Sequence, residues 1–285
     1  MFCAVIMPIY NEAQHLDQVL KCFVTQSDPC DLLILVDDGS TDQSAQIQMR
    51  WAEQYPWIEV VSCDKKSDHA PGQKVVNAFY RGYEYLMKRA AKDAFSVSLI
   101  GKFDGDVLLP PNYFKALKTA FTQNPKLGLA SGLLYVKKQN TWVYEQIAKK
   151  HKVRGPIKLY RQECFNQIDG LKPCLGWDSI DQWLAQYSGW EVQTFADLQV
   201  KHLKATAQGY SPGELNKQGH AFAHMGYGFW LSLLSIIKLS FYYKKPQLVF
   251  YALVNYCRSR HVIMVTPLQA EFIRKTLWRS ILNNR

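Results

Sequence analysis

No C-x-x-C pair occurs among the seven cysteines, which are odd in number and scattered: Cys3, Cys22, Cys30, Cys63, Cys164, Cys174 and Cys257. That argues against a disulfide framework and a structural zinc site, and it fits reduced core thiols in a cytosolic protein. Internal repeats and homopolymer tracts are missing, and 12 Pro with 16 Gly exclude collagen-like and low-complexity sequence. The opening MFCAVIMP has no basic stretch and no apolar core of leader length, so no secretory signal is expected. A spanning helix needs about 20 apolar residues. Gly226–Tyr243 comes nearest, but it contains Lys238 and runs into Lys244-Lys245-Pro246. Hydrophobic residues make up 48% of the 285 and charged residues 20%, the balance of a globular chain with a sizeable core.

Acidic residues are nearly absent from the carboxyl end. Residues 226–285 hold nine Lys/Arg and one acid, Glu271, so +8 of the net +10 sits there. Nucleic-acid binders interleave basic residues with Gly, Ser or stacking aromatics on a polar face. Here the neighbours are Leu, Ile, Phe, Tyr and Trp in helical runs, which suits an anionic membrane surface and not nucleic acid. Helices lying in the membrane interface are expected; a helical lid packed on the core is the alternative.

Short apolar runs at Phe2–Met7, Leu32–Val36, Trp57–Ser62 and Phe95–Ile100 predict strands buried on both faces. Helical spacing fills the intervals at Glu12–Thr25, Gln43–Tyr55 and Gly72–Arg89. Alternating strands and helices predict an open α/β sheet, mostly parallel. Ligands of such sheets bind beyond the carboxyl ends of the strands. Those ends carry Tyr10-Asn11, Asp37-Asp38, Cys63-Asp64 and Asp104-Gly105-Asp106. Further on, Pro111–Asn124 and Asp178–Tyr187 read as helices, and Leu127–Tyr135 and Trp190–Phe195 as strands. Three apolar helices follow at Phe229–Phe241, Leu248–Cys257 and Pro267–Leu282.

Four segments carry chemistry. In VDDGSTD (Val36–Asp42), Ser40 or Asp42 can cap the next helix. Capping leaves a second acid available to accept from a base N–H or ribose hydroxyls. In FDGDV (Phe103–Val107), two carboxylates one residue apart repel unless a donor or cation lies between them; Mg²⁺ or Mn²⁺ meets that need, and a solvated acidic turn is the alternative. In GWDSIDQWLAQYSGW (Gly176–Trp190), Ile180, Trp183, Leu184 and Tyr187 are expected to pack inward, with Asp178 and Asp181 on the other side. Either acid can offset the helix dipole or act as a general base. His202, in VKHLKATAQG, is either a structural histidine or a nitrogen ligand completing a cation shell with Asp106.

In order and content, MPIYNEAQHLDQVL, VDDGSTD, FDGDV and GWDSIDQW followed by SGW resemble a family-2 glycosyltransferase of the GT-A fold, over about residues 2–205. The resemblance implies a nucleotide-sugar-dependent, inverting enzyme with a Rossmann-like mixed sheet flanked by helices. It implies that Pro8, Tyr10 and Glu12 line the nucleoside pocket, that Asp38 contacts the base, and that Asp104 approaches the ribose. Asp106 then binds Mn²⁺ or Mg²⁺, His202 is a further ligand, and Lys74 lies near the donor. The family's base stands eleven residues before the Gly of an Ala-Gly-aromatic tripeptide; Asp178 keeps that interval to Gly189, and Asp181 does not. Trp177-Asp178 replaces the usual Glu-Asp pair. The implied partners are a UDP- or GDP-linked donor and a glycan or lipid-linked acceptor at the cytoplasmic face of a membrane. The expected division is a transferase domain over 1–210 and a basic amphipathic helical appendage over 211–285. A membrane-bound adaptor that keeps the fold without catalysis is the rival reading. Phosphatases with an aspartyl nucleophile also use Asp-x-Asp, but with a Thr shortly after it, where this chain has Val107-Leu108-Leu109-Pro110.

Overall fold

The computed structural model describes residues 1–62, 72–146, 149–204 and 216–282. The polar strand end at Cys63-Asp64 and the expected boundary near residue 210 lie outside them.

The first half alternates strand and helix: β1 (Cys3–Ile9), α1 (Ala13–Val24), β2 (Leu32–Asp37), α2 (Ser44–Gln54), β3 (Ile58–Ser62), α3 (Gln73–Asp93) and β4 (Leu99–Phe103). Then come β5 (Val107–Leu108), α4 (Tyr113–Gln123), β6 (Leu127–Lys138), β7 (Thr141–Tyr144), β8 (Ile157–Arg161), α5 (Gln162–Gln167), α6 (Trp177–Tyr187) and β9 (Glu191–His202). One sheet takes all nine strands in the order β3-β2-β1-β4-β8-β6-β9-β5, with β7 paired to β6. Strands β3, β2, β1 and β4 run parallel. β8 enters antiparallel between β4 and β6, and the sheet is mixed from there on.

Strands β1 and β2 are apolar almost throughout because both their faces are covered, yet their residues still alternate between two cores. Ala4, Ile6, Ile34 and Val36 pack with α3 (Val76, Phe79) and α6 (Ile180, Leu184). Val5, Met7, Leu33 and Leu35 face the other way, onto α1 (Leu16, Leu20, Phe23) and α4 (Phe114, Leu117). Gly82 lets α3 lie close on the sheet: a Cβ there would come within 2.5 Å of Ile6 and 2.8 Å of Val36.

Strand β4 starts four residues later than the apolar run predicted. Phe95 is not in the strand; its ring stacks on Phe2 at 4.3 Å. The strand instead continues through Gly101-Lys102, directly into Asp104.

The carboxyl end forms α7 (Gln218–His224), α8 (Phe229–Tyr243), α9 (Gln247–Ser259) and α10 (Pro267–Leu282). These helices share the α3–α6 core through Phe222, Leu231, Ile236, Leu248 and Ile273. Among the described residues, no helix is long and apolar enough to cross a membrane. Large side chains stay exposed on them, among them Trp230 (68%), Phe241 (79%) and Phe250 (67%).

Candidate active site

The carboxyl ends of β1, β2 and β4 meet at one rim. Pro8 is the penultimate residue of β1, and Tyr10 follows that strand with its ring exposed. The turn after β2 is clipped to the start of α1. Asn11 N donates to Ser40 Oγ (3.1 Å), Glu12 N to Ser44 Oγ (2.8 Å) and Ala13 N to Asp42 Oδ2 (3.1 Å). The hydroxyls and Asp42 thus satisfy amide groups at the head of a neighbouring helix. Asp37 is used locally, accepting from Ser40 N and Gln48 Nε2 at 3.2 Å each. Asp38, anchored by its own N–H on Ile9 O (2.9 Å), turns its carboxylate toward Arg81 Nη1 (3.4 Å).

Three further acids converge beside it. Gly105 lies against Glu12, whose Cγ would be 3.3 Å from a Cβ at that position. Burial pushes the Glu12 carboxyl up; a hydrogen bond from Lys204 (2.6 Å) offsets part of this, and Asp106 and Asp104 push it further up. Asp104 is paired with the buried Lys102 ammonium, and its N–H donates to Pro156 O (3.0 Å).

Asp106 and His202 are neighbours through strand pairing. Val107 lies opposite His202 in the β5–β9 ladder, and Leu203 N donates to Asp106 O (2.9 Å). His202 Nε2 is 3.6 Å from Asp106 Oδ2, and His202 Nδ1 is 3.7 Å from Glu145 Oε2. Burial alone would push the imidazole down, but Asp106 and Glu145 outweigh it and carry it up to about 9. Asp106 Oδ1 and His202 Nδ1 are buried without hydrogen-bond partners. An orphaned carboxylate oxygen on Asp106, whose other oxygen faces the His202 Nε2 edge, fits Mn²⁺ or Mg²⁺. Among the described residues no group of three or more such side chains is preassembled for a metal, so a cation on this pair would take other oxygens from a ligand or water.

Asp178 lies in the first turn of α6, after Gly176 (φ 87°). Its main-chain carbonyl accepts from Lys158 Nζ (2.7 Å) and Gln182 Nε2 (2.6 Å). A Cβ on Gly155 would come within 3.3 Å of Asp178 Cβ, and Lys102 Nζ donates to Gly155 O (3.3 Å). The same Nζ is 5.1 Å from the Trp177 ring centre. Lys102 therefore bridges the strand end that bears Asp104 to the helix start that bears Asp178. Burial pushes the nearby Lys152 ammonium down, Asp178 pulls it back, and Lys238, Lys149 and Arg154 lower it further. Lys74 is exposed in the first turn of α3. That turn adjoins α6, because Gly72 (φ +86°) packs on Cys174 and Leu175 at a spacing that leaves no room for a side chain.

Asp181 does not face outward, as helical spacing had suggested. It is buried at the sheet, accepting from Lys158 Nζ (2.5 Å), Tyr160 OH and Gln182 N (2.6 Å). Burial pushes Asp181 up and Lys158 down, each opposed by the charge of the other. Tyr187 is exposed and meets Phe272 of α10 edge-on at 5.6 Å. Lys102, Lys158, Trp177 and Glu145 escape sequence reasoning. The two lysines sit inside apolar strands, where a charge reads as a break; only register shows them facing each other across β4 and β8.

Comparison with known proteins bears on the family and the fold. Residues 4–175 match the family described as Glycosyl transferase family 2. An undecaprenyl-phosphate 4-deoxy-4-formamido-L-arabinose transferase of Edwardsiella ictaluri is 28% identical, over 50% of this chain and 39% of its own length. The uncharacterized glycosyltransferase YibD of Escherichia coli is 33% identical, over 33% of this chain and 32% of its own. The alignments thus span well under half of either relative. In fold, the chain is similar to Staphylococcus aureus TarS 1–349, with a TM-score of 0.61 and 14% identity, covering 100% of this chain and 92% of that one. It is also similar to a Pyrobaculum calidifontis mannosyltransferase in complex with GDP-Man and Mn²⁺, with a TM-score of 0.55 and 14% identity, covering 98% and 80%. With a family match over more than half its length and the acidic strand ends in place, the chain belongs to glycosyl transferase family 2.

Proposed function

We propose that the protein moves a sugar from a UDP- or GDP-linked donor to a hydroxyl of a glycan or lipid-linked acceptor, with inversion at the anomeric carbon. The observation that carries this reading is the convergence of Glu12, Asp104 and Asp106 at the β1 and β4 ends, tied through Lys102 to the helix start bearing Asp178. Neighbours of the same fold support it: one was solved with GDP-Man and Mn²⁺, and TarS 1–349 with UDP-GlcNAc.

In this reading Pro8, Tyr10 and Glu12 line the nucleoside pocket, Asp38 accepts from the base, Asp104 lies by the ribose and Lys74 by the donor. Asp106 and His202 hold Mn²⁺ or Mg²⁺, which when bound supplies Lewis-acid stabilisation of the departing diphosphate. Asp178 takes the proton of the acceptor hydroxyl as its oxygen bonds to the anomeric carbon and the bond to the diphosphate breaks. A carboxylate suffices because proton transfer accompanies attack. One base and a single displacement give inversion. The Lys158 and Gln182 hydrogen bonds hold the Asp178 main chain so that the carboxylate is aimed before substrate arrives.

Residues 1–210 would carry this chemistry, and 211–285 would seat the protein on the anionic cytoplasmic face of a membrane. Exposed Trp230, Leu234, Phe241 and Phe250 beside exposed Lys238 and Lys244 support that seating. So does the name of the Edwardsiella relative, an undecaprenyl-phosphate transferase.

The test is thermal unfolding with Mn²⁺ and a panel of UDP- and GDP-sugars, followed by a transfer assay. A true donor at about 100 times its Kd stabilises by about 2.7 kcal/mol. No response to any donor would favour an adaptor that keeps the fold without catalysis.

A further inference from the structure

Next to the converging acids lies a buried row of four side chains, Asp106, His202, Glu145 and Arg154. Four strands, β5, β9, β6 and β7, assemble it. The β5–β9 pairing sets His202 opposite Val107, and the β6–β9 pairing sets it opposite Val136. The β6–β7 hairpin then returns the chain to the same level, where Glu145 N donates to Leu134 O (2.9 Å). The His202 ring is thus held between two carboxylates. Asp106 Oδ2 is 3.6 Å from Nε2, and Glu145 Oε2 is 3.7 Å from Nδ1. Arg154 Nη1 lies 3.3 Å from the same Glu145 oxygen.

Neither gap is closed to hydrogen-bond length, and Asp106 Oδ1 and His202 Nδ1 stay without partners. An imidazole that offers Nε2 to a cation needs its proton on Nδ1, and a buried N–H needs an acceptor. Glu145 is the carboxylate facing that nitrogen. The Arg154 guanidinium, 3.3 Å from that carboxylate, offsets part of the cost of burying it.

We propose that Glu145 is a positioning residue: held by Arg154, it accepts the His202 Nδ1 proton and so presents the Nε2 lone pair toward Asp106 for a divalent cation. This rests on the reading of Asp106 and His202 as the cation pair.

The test measures Mn²⁺ affinity of the full-length protein, by calorimetry and by the electron paramagnetic resonance of bound Mn²⁺, without donor or acceptor. In Glu145→Gln, Arg154 claims the amide oxygen and the amide N–H₂ faces Nδ1, which drives the proton onto Nε2. Mn²⁺ affinity should fall about 10- to 100-fold. Glu145→Asp keeps the charge but withdraws the carboxylate by one methylene, and a loss of at least several-fold is expected. In a His202→Asn background either change should shift affinity less than about twofold, because the group acted upon is gone. An equal loss in both backgrounds means that Glu145 acts through charge alone, and the proposal fails. Unchanged affinity in Glu145→Gln or Glu145→Asp overturns it as well. If Asp106→Asn and His202→Asn themselves leave Mn²⁺ binding intact, the reading of the cation pair has failed instead.

Discussion

Two buried acid–base clusters lie at neighbouring strand ends of the sheet and are built in opposite ways. Around Asp181, 1% exposed, both carboxylate oxygens are claimed, by Lys158, Tyr160 and the Gln182 amide. Around Asp106, equally out of solvent's reach at Oδ1, the nearest cationic atom is held off at 3.6 Å and that oxygen has no partner. An unsatisfied buried polar atom costs roughly 1–3 kcal/mol. The fold avoids that cost at one cluster and carries it at the other. Burial and charge are common to both; what separates them is unused bonding capacity. A closed network fixes where α6 begins, and an open one leaves coordination for a ligand to complete.

The sharpest way to break this contrast uses the two acids of α6, one turn apart. Asp178→Asn should lower transfer by about 10²–10⁴-fold. It should leave thermal stability and donor-induced stabilisation in place, since the Lys158 and Gln182 bonds go to the main-chain carbonyl and not to the carboxylate. Transfer at the normal rate would mean that the base is elsewhere. Asp181→Ala should act on stability instead. It strands the Lys158 ammonium in the core, and breaking a buried pair costs about 3–5 kcal/mol, read from urea unfolding. The double change Lys158→Met with Asp181→Leu should recover most of that loss. A fully stable Asp181→Ala would show that the closed cluster is as dispensable as the open one.

A smaller effect tests the open cluster. Asp106→Asn removes an orphaned Oδ1 but also a charge partner of His202, so the cation-free protein should melt close to the wild-type temperature. The Mn²⁺-dependent part of donor stabilisation, up to about 2.7 kcal/mol at 100 times Kd, should disappear. Retained Mn²⁺ dependence in the melting curve would move the cation away from Asp106.

The parallel half was legible in the sequence because each of its strands is a short apolar run ended by polar residues: β1 and β2 start and stop within two residues of the predicted bounds. Legibility failed wherever a tertiary partner overrode local pattern. Phe95 belongs to a ring stack with Phe2 and not to β4. Strand β8, IKLYR, carries a buried lysine at its second position, and it is polar only until Asp181 is placed against it. Asp181 itself shares its turn with Asp178, and the 3.6-residue period does not say that a lysine awaits it in the core. Glu145 has no local signal at all. Its place beside His202 follows from the β6–β7 hairpin, a pairing that no spacing in the sequence announces.

The smallest expected effect concerns the outer face of α8. Trp230, Leu234, Ile237 and Phe241 recur at helical spacing, and Trp230, Leu234 and Phe241 are exposed at 68%, 45% and 79%. Fully burying a large apolar side chain is worth about 1.5–3 kcal/mol, and each lysine near an anionic surface about 1 kcal/mol. Trp230→Ser should therefore weaken co-sedimentation with anionic vesicles by about tenfold or more. Lys244→Gln should weaken it by about fivefold, an effect that fades with added salt. Truncating the region is the poorer experiment, because Leu231, Ile236 and Ile273 complete the core beneath α6 and their loss would unfold more than the appendage. The exposed substitutions leave that core untouched, so thermal stability and transfer to a soluble acceptor should hold. Were the wild-type protein to stay in the supernatant with anionic vesicles at low salt, this apolar stripe would need an occupant other than lipid.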